Sequence, residues 1–357
     1  MLDYVTPAER SSSGQTGDTA RTATRVSVVV VTGYLGSGKT TLIAELVRRP
    51  DMAGTAVIVN ELAEAGIDQA IIADAGAGDV VLLANGCLCC AGGSDLRNAA
   101  ARLIATAGAA GRPLGRILIE TSGAADPGPI LRQLCFDPVL RSRLRYGGVL
   151  ALFDAANGRA MLALDAVGFN QIGLADTILV TKTDLVDAAT TAAVGDFLRS
   201  LNPSAHVTVR AEDAHGFVAG TGREGSGTLA WLGPAVEAET SGHRPVLGNW
   251  SVYARMPVRW HLAEQAIRIA FDRHGDDVLR TKGLVWTDDD PRPLVIHGIG
   301  RHFHRPVRLR GWEGEPMTRL VVIGFAGAEA VAASIATAIS GHVGPQPNNK
   351  TSKYGGI

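Results

Sequence analysis

The feature that most constrains this chain is a glycine-rich motif between a strand-like run and a helix-like run. Residues 26–49 read VSVVVVTGYLGSGKTTLIAELVRR, in which an apolar run leads into Gly33 and helical periodicity follows Thr40. Within this segment, residues 33–40 (GYLGSGKT) match the P-loop pattern G-x-x-x-x-G-K-[ST] in the strand–turn–helix context that it requires. An apolar run without alternation favours a central parallel strand, covered on both faces. The motif therefore predicts an α/β fold built around a phosphate site.

The same alternation of apolar runs and helix-like segments continues over about 180 residues, which is typical of a doubly wound α/β sheet. Segments 95–107 and 188–200 have helix length and are rich in Ala, Leu and Arg. Ligands of such sheets bind at the carboxyl ends of the strands. We therefore predict a mostly parallel sheet, with further strands at 55–60, 79–85, 116–121, 147–155, 176–184 and 206–211.

A second, smaller domain is predicted after a break in this pattern. The chain has 357 residues, more than one core usually holds. Residues 212–247 are rich in Gly, Ser, Thr and Pro, which indicates a linker. Beyond it, one strand-like run precedes a helix-like segment at 261–274, and three more lie between that segment and a second one at 327–340, which favours an α+β domain with a largely antiparallel sheet. The predicted organisation is a disordered tail at 1–25, a P-loop domain at 26–211, the linker, an α+β domain at 248–342 and a disordered tail at 343–357.

Net charge and hydropathy argue against two classes of partner, nucleic acids and membranes. The formal net charge is -1, so the chain offers no general attraction to nucleic acid or to an anionic membrane surface. No apolar run reaches the ~18 residues that a bilayer span needs. The N-terminal residues contain no apolar stretch of the kind that secretory signals carry. We therefore expect a cytoplasmic protein that binds neither nucleic acid nor membrane, and whose cysteines stay reduced.

The P-loop motif assigns a role to each of its residues. Glycines allow backbone amides to surround a triphosphate, and the start of the following helix adds positive potential. Lys39 is expected to reach the β- and γ-phosphates, and the Thr40 hydroxyl is expected to ligate Mg²⁺. The predicted nucleotide-binding residues of this motif are Gly33, Gly36, Ser37, Gly38, Lys39, Thr40 and Thr41.

The sequence TKTD at 181–184 indicates which base is bound. An aspartate can accept hydrogen bonds from both N1–H and N2–H of guanine, whereas adenine offers no such donor pair. We therefore expect Asp184 to bind guanine and the aliphatic part of Lys182 to lie along the purine ring. Thr181 stands where an asparagine is usual in G-proteins. The alternative is a simple helix N-cap, in which Thr and Asp are also common.

Two acidic residues end strand-like runs close to the predicted phosphate site. Glu120 ends RILIE, the position of the second acidic motif in P-loop enzymes, where it would hold a Mg²⁺-bound water or orient the attacking water. The alternative is that Glu120 caps the following SGAADPGP segment. Asp154 ends LALFD in a similar way, on weaker grounds. Lys39 and Glu120 are the predicted catalytic residues.

Six motifs together resemble the CobW family of P-loop GTPases, closest to its YjiA-like members. They are GYLGSGKTTL, VNELAEAGID, NGCLCC, ETSGAADPGPI, LVTKTDL and LRTKGLVW, in the order found in that family. The resemblance extends from about residue 26 to about residue 340 and implies a GTP-dependent metallochaperone that carries zinc or cobalt to a client protein, or an activator of nitrile hydratase. One departure is NELAE, where the family commonly has Asn-Glu-Phe-Gly-Glu.

The NGCLCC segment places three of the chain's four cysteines within four positions, which indicates a metal site. Thiolates bind Zn²⁺ and similar ions tightly. Side chains alternate along an extended segment, so Cys87 and Cys89 would face one way and Cys90 the other. We expect Cys89 and one or both neighbours to bind the metal, with Glu61 or Glu64, water or the client completing the site. The alternatives are C-x-x-C redox chemistry and a structural zinc, which would need four protein ligands.

Both the cysteine motif and the NELAE acids follow predicted strands, at 79–85 and 55–60. We expect these strands to lie close to the P-loop strand, which would bring metal ligands near the γ-phosphate and couple metal affinity to hydrolysis. The remaining cysteine, Cys135, is expected to be a buried small apolar residue.

Two motifs in the second domain are less specific. His297, His302 and His304 could form a second metal site, although a solvated strand face is the commoner arrangement. Arg280 and Lys282 in LRTKGLVW are expected on a surface strand.

The leading hypothesis is a GTPase metallochaperone, and homo-oligomerisation is compatible with it. The alternative is a nucleotide-dependent assembly or activator G-protein whose cysteines are structural or redox-active. A biosynthetic enzyme of the kinase type ranks last, because the sequence has no arginine cluster of the kind that lids use.

Overall fold

The computed structural model describes residues 25–60, 79–82, 94–162, 167–221, 247–303, 306–309, 311–312 and 315–341. Within these residues the chain forms two sheets, one of seven strands and one of six. Among the described helices, none combines the length and apolar character needed to cross a bilayer.

The first sheet is parallel throughout, which confirms the predicted doubly wound fold. Its strands are β1 (Val26–Gly33), β2 (Thr55–Asn60), β3 (Asp79–Leu82), β4 (Arg116–Thr121), β5 (Leu144–Asp154), β6 (Thr177–Thr181) and β7 (His206–Thr208). They are ordered β3-β2-β4-β1-β5-β6-β7. The strand that leads into the P-loop is thus central, as its unbroken apolar sequence predicts.

Helices cover both faces of this sheet because alternate strand residues point to opposite sides. The helices are α1 (Lys39–Val47), α2 (Ser94–Ala109), α3 (Gly128–Phe136), α4 (Pro138–Arg143), α5 (Gly158–Leu162), α6 (Val167–Leu174), α7 (Ala188–Leu201) and α8 (Ala211–Ala219). Val29 and Val31 of β1 share one core with α1 and α8. Val28 and Val30 share the other core with α2, α3, α6 and α7.

The second domain has the predicted α+β architecture. Its strands are β8 (Gly248–Ala254), β9 (Val278–Val285), β10 (Leu294–Ile299), β11 (His302–Phe303), β12 (Val307–Arg308) and β13 (Thr318–Gly324). Their pairings are antiparallel in the order β11-β10-β9-β13-β8, with β12 beside β10. The helices α9 (Trp260–His274) and α10 (Ala328–Gly341) pack on one face of this sheet.

The other face of the second sheet packs against the first domain. Val321 and Ile323 of β13 belong to the same buried cluster as α6 and α7, whereas Leu320 and Val322 face α9 and α10. The two domains therefore share a continuous apolar core.

The start of the predicted linker differs from the structure. Residues 212–219 of the predicted linker belong to α8, whose Ala214 and Val218 are buried against the first sheet. Linker residues 222–246 lie outside the described part of the chain, as do both predicted tails apart from Arg25.

The expectation that β2 and β3 lie close to the P-loop strand is wrong. β4 is the neighbour of β1 on that side, β2 follows it, and β3 is the edge strand. With neighbouring strands about 4.8 Å apart, β2 lies roughly 10 Å and β3 roughly 14 Å from β1. Strand order depends on the crossover connections and is not set by the hydrophobic pattern of any single strand.

Candidate functional site

The loop between β1 and α1 has a backbone that only glycine adopts readily. Gly33, Gly36 and Gly38 have φ angles of 142°, 72° and 95°. A Cβ atom at Gly33 would lie 2.4 Å from the carbonyl oxygen of Leu152. Gly38 is the N-cap of α1, so the loop ends at a helix N-terminus whose free amides attract anions.

Lys39 is held inside this loop. Its Nζ atom donates hydrogen bonds to the carbonyl oxygens of Gly33, at 2.8 Å, and of Tyr34, at 3.2 Å. The side chain is buried. The loop thus holds a positive charge against backbone carbonyls, and a phosphate oxygen would be a stronger acceptor for the same ammonium group.

Thr40 and Glu120 meet at the carboxyl ends of two adjacent strands. The Thr40 hydroxyl donates to Glu120 Oε1 at 2.7 Å. Glu120 is only 3% exposed, and it pairs in register with Val31, two residues before the loop begins. A hydroxyl and a carboxylate are oxygen ligands of the kind that Mg²⁺ prefers, so these residues fit the ion that a P-loop nucleotide carries.

The TKTD segment contacts the P-loop directly. The Thr181 hydroxyl donates to the carbonyl oxygen of Ser37 at 2.9 Å, which gives this threonine a specific role where G-proteins usually have asparagine. Lys182 has a left-handed backbone, with φ of 55°, and its Nζ atom donates to Asp154 Oδ2 at 2.8 Å. Asp184 is exposed in the following 3₁₀ turn, Thr183–Leu185.

The Asp154 carboxylate, at the end of β5, accepts several hydrogen bonds. Burial alone would raise the pKa of its carboxyl group, but hydrogen bonds from Lys182, Asn157 and the Ala156 amide hold the pKa below its ordinary value. An ionised Asp154 therefore orients the lysine of the TKTD segment. The remaining predicted residues of the loop are Ser37, which is buried, and Thr41, which is exposed on the first turn of α1.

The two domains match two family descriptions in sequence. The model for the CobW/HypB/UreG nucleotide-binding domain matches residues 27–209, and the model for the cobalamin synthesis protein cobW C-terminal domain matches residues 247–338. The chain belongs to the CobW family of GTPases. The predicted resemblance, which rested on six motifs, and the prediction of a GTPase are confirmed.

Several relatives in the CobW family are similar over most of the chain. The zinc chaperone YjiA of Escherichia coli (strain K12) is 29% identical over 312 residues, which cover 84% of this chain and 94% of the relative. A zinc chaperone CobW of Pseudomonas aeruginosa is 28% identical over 339 residues, covering 85% and 88%. The crystal structure of Zn(II)-bound YjiA GTPase from E. coli has a TM-score of 0.66 at 24% identity, covering 88% of this chain and 98% of that one. It shares the fold.

The predicted ligands of the CobW-type metal site lie outside the part of the chain that the structure describes. Cys87, Cys89, Cys90, Glu61 and Glu64 all lie outside the described residues. In the part of the chain that is described, no cluster of three or more His, Cys, Asp or Glu side chains could hold a metal ion. Cys135 is buried, as expected, and burial raises the pKa of its thiol to about 12.

Two histidines of the predicted second metal site lie at the interface with the first domain. Arg280 Nη2 lies 3.1 Å from His297 Nε2, and the His302 ring lies 4.5 Å from the Phe136 ring. His304 is outside the described residues. The two described histidines therefore contribute to the domain interface, and a second metal site has no support among the described side chains.

The expectation that Arg280 and Lys282 lie on a surface strand is wrong. β9 is central in the second sheet, Arg280 is 1% exposed, and Lys282 Nζ lies 2.9 Å from Asp176 Oδ1. Both side chains share a strand face with Leu284, which is buried against the first domain. The sequence of β9 alone cannot reveal this, because the partner carboxylate is 106 residues away in the chain.

Sequence reasoning also missed Gln171 and the cavity beside it. Gln171 is buried on α6 and lines a cavity of about 150 Å³ together with Tyr34, Ser37, Asp154 and Lys182. The cavity lies beside the P-loop, and its lining residues include neither Lys39 nor Thr40. A glutamine in an apolar helix is the one signal that could have indicated a buried polar contact.

Proposed function

We propose that this protein is a GTP-binding and GTP-hydrolysing metallochaperone that captures zinc, with cobalt as the second choice, at its C-x-C-C motif and delivers it to a client metalloprotein. The observation that carries the nucleotide half is the buried Thr40–Glu120 hydrogen bond beside the P-loop lysine. The metal half is supported by Cys87, Cys89 and Cys90 and by relatives described as zinc chaperones over both domains.

The nucleotide site would work through a small set of groups. The loop from Gly33 to Thr41 would bind the phosphates through its backbone amides, and Lys39 would exchange its carbonyl acceptors for phosphate oxygens. Thr40 and Glu120 would hold Mg²⁺, which neutralises charge on the phosphates when bound. Glu120 would also orient the attacking water. Because Glu120 is buried, its field on that water would be weakly screened by solvent.

The base site is proposed to select guanine. Asp184 would accept the two N–H groups of the guanine edge, and the stem of Lys182 would lie along the ring. The Lys182–Asp154 ion pair and the Thr181–Ser37 hydrogen bond support this role, because they fix the TKTD segment relative to the P-loop.

The metal would be cargo held by thiolates. We propose that Cys89 binds with Cys87, Cys90 or both, and that Glu61 or Glu64, water or the client completes the coordination. Reduced thiolates are needed, which supports a cytoplasmic location. The proposed partner is a client metalloprotein, and homo-oligomerisation stays a prediction.

The experiment that tests this proposal measures the coupling between the two sites. Metal affinity is obtained by competing the protein against a chelating dye, once with GDP and once with a non-hydrolysable GTP analogue. If GTP favours metal capture, zinc binds more tightly in the GTP state by about 5- to 150-fold, as is typical for coupled sites. Linkage then requires zinc to tighten GTP binding by the same factor.

Two cysteine variants separate the metal site from general effects. Cys89→Ser should abolish the coupling and leave GTP binding without metal nearly unchanged. The matched control is Cys135→Ala, which removes a buried thiol within α3 and should leave the coupling intact. Equal zinc affinities in the GDP and GTP states of the unmodified protein would contradict the proposal and favour an activator G-protein without a metal cycle.

A further inference from the structure

The helix α6 contacts the loop that follows Glu120. Gln171, in the middle of this helix, is 2% exposed. Its Nε2 atom donates to the carbonyl oxygens of Gly123, at 3.1 Å, and of Ala125, at 3.2 Å. These carbonyls lie three and five residues after Glu120, on the loop between β4 and α3. One side chain therefore fixes two backbone groups of the segment that leaves the proposed catalytic strand.

The same loop lies directly against the P-loop. A Cβ atom at Gly123 would lie 2.5 Å from the backbone nitrogen of Leu35 and 2.8 Å from its Cδ2 atom. This close approach leaves no room for a side chain at position 123. A shift of Gly123 toward the P-loop would therefore displace the backbone of Leu35. Gln171 holds the carbonyl of Gly123 from the side of α6.

The other end of α6 is fixed by two side chains from outside the helix. Asn202, at the end of α7, donates to the carbonyl oxygens of Ile172 at 2.7 Å and Ala175 at 3.0 Å. Arg280 of the second domain donates to the carbonyl oxygen of Leu174. A cation at the C-terminal end of a helix also interacts favourably with the helix dipole.

The second domain also packs on the helix itself. A Cβ atom at Gly173 would lie 3.0 Å from Leu279 Cδ1, and Leu247 and Ile323 are within 3.4 Å. A helix of eight residues, with one end held by the second domain and its middle held by the loop after Glu120, moves as one rigid element.

We propose that Gln171 is a positioning residue for GTP hydrolysis and that α6 transmits the position of the second domain to the loop that follows Glu120. The inference rests on the proposed role of Glu120 near the γ-phosphate. Displacing α6 would release the carbonyls of Gly123 and Ala125, and the end of β4 would lose its alignment with the P-loop. Nucleotide binding would persist, because none of the phosphate ligands belongs to α6 or to this loop.

The first test is a near-isosteric loss of the two hydrogen bonds. Gln171→Met should lower kcat for GTP about tenfold while KM stays within about twofold, since the lost contacts act on the loop and not on bound GTP. Backbone amides at 122–126 should exchange hydrogen faster in this variant. Mg²⁺ is present and no zinc or cobalt is added, so the result does not depend on the proposed metal cycle.

A second variant gives a pH signature that simple destabilisation would not give. In Gln171→Glu the ionised carboxylate faces two carbonyl oxygens and can donate to neither, whereas the protonated carboxyl can donate to one. The ratio of variant to unmodified kcat should therefore rise as the pH falls through the pKa of this buried carboxyl group. A ratio that is constant with pH would contradict the positioning role.

The link to the second domain is tested by removing the side chain that the second domain places against the end of α6. Arg280→Met deletes the hydrogen bond to the carbonyl oxygen of Leu174 and leaves Asp176 paired with Lys282, so no buried charge is left alone. It should lower kcat in the unmodified chain and have little further effect in Gln171→Met, because both changes release the same helix. Independent, multiplicative effects would contradict transmission through α6.

A matched control accounts for lost stability. Ile335→Val, in the core between α10 and the second sheet, should lower Tm while leaving kcat and the exchange at 122–126 unchanged. The inference is overturned if Gln171→Met lowers Tm but leaves both kcat and the exchange of this loop at the unmodified values. Failure of the unmodified protein to couple zinc and GTP would instead contradict the proposed function.

Discussion

At the scale of single residues, the proposed roles of the loop and of Glu120 allow nucleotide binding to be measured separately from hydrolysis. The phosphates would be bound by the loop and by Lys39, whereas Glu120 reaches the site from β4 and accepts a hydrogen bond from the Thr40 hydroxyl. A neutral amide at position 120 would keep the shape of the side chain and remove its charge.

We therefore expect Glu120→Gln to bind GTP within about threefold of the unmodified protein and to hydrolyse it about 100-fold more slowly, a typical contribution of an acid–base group. Single-turnover hydrolysis and a binding titration measure the two quantities. The control is Glu45→Gln, the same chemical change at an exposed position of α1, which should alter neither. A Glu120→Gln protein with normal turnover would reduce Glu120 to a cap of the SGAADPGP segment.

At the scale of elements, the P-loop depends on two kinds of glycine. Gly33 combines a φ of 142° with close contact to the backbone of β5. Gly36 has a φ of 72° but open space around it. Substitution at Gly36 therefore strains only the backbone, whereas substitution at Gly33 also forces β1 and β5 apart at their carboxyl ends.

Comparing the two alanine variants should measure this difference. Gly36→Ala should cost about 1–2 kcal/mol of unfolding free energy, the usual price of a left-handed alanine. Gly33→Ala should cost more than that and should also weaken GTP binding, because Leu152 must move. Urea unfolding and a nucleotide titration check both. Equal losses of stability in the two variants would show that the contact with Leu152 is easily relieved.

At the scale of the whole molecule, a buried ion cluster joins the two domains. Asp176, which precedes β6, accepts hydrogen bonds from Arg280, Lys282 and the Tyr146 hydroxyl. Burial alone would raise the pKa of Asp176, but the charges of Arg280 and Lys282 hold it well below its ordinary value. Burial, together with the Arg280 charge, lowers the pKa of Lys282 to about 8. The cluster therefore contains one cation that is easily deprotonated.

The lowered pKa of Lys282 makes the stability of the folded protein rise with pH over a definite range. An unfolded lysine keeps its proton to about pH 10.4, whereas Lys282 in the folded protein loses it near pH 8. Between these values the unfolded chain binds more protons, so the stability contributed by this group rises with pH. From pH 7.5 to pH 10 the unmodified protein should gain stability relative to Lys282→Met, on the order of 1–3 kcal/mol.

Denaturant unfolding of both proteins across this pH range measures the difference. The control is Ile335→Val, which removes no titratable group, so its stability difference from the unmodified protein should stay constant over this pH range. A stability difference between the unmodified protein and Lys282→Met that stays constant from pH 7.5 to pH 10 would show that Lys282 titrates normally.

The sequence by itself determined the local features of this protein. The P-loop, the strand before it and the helix after it follow from apolar patterning and from glycines at fixed spacing, and both sheets follow from runs of strand-like residues. The positions of Lys39, Thr40 and Glu120 at the P-loop could be predicted because each residue lies within, or at the end of, one such element. Family membership followed from the same short motifs.

Only the tertiary structure decided which elements are neighbours. β4 lies between β1 and β2 because of the crossover connections, so neither β2 nor β3 is a direct neighbour of the P-loop strand. Arg280 and Lys282 look like surface residues until Asp176 is brought to them, and Gln171 acquires its role only when α6 packs beside Gly123. These contacts join residues 46 to 106 positions apart. Hydrophobic periodicity specifies the face of an element that is buried, but it does not specify the residues of other elements against which that face packs.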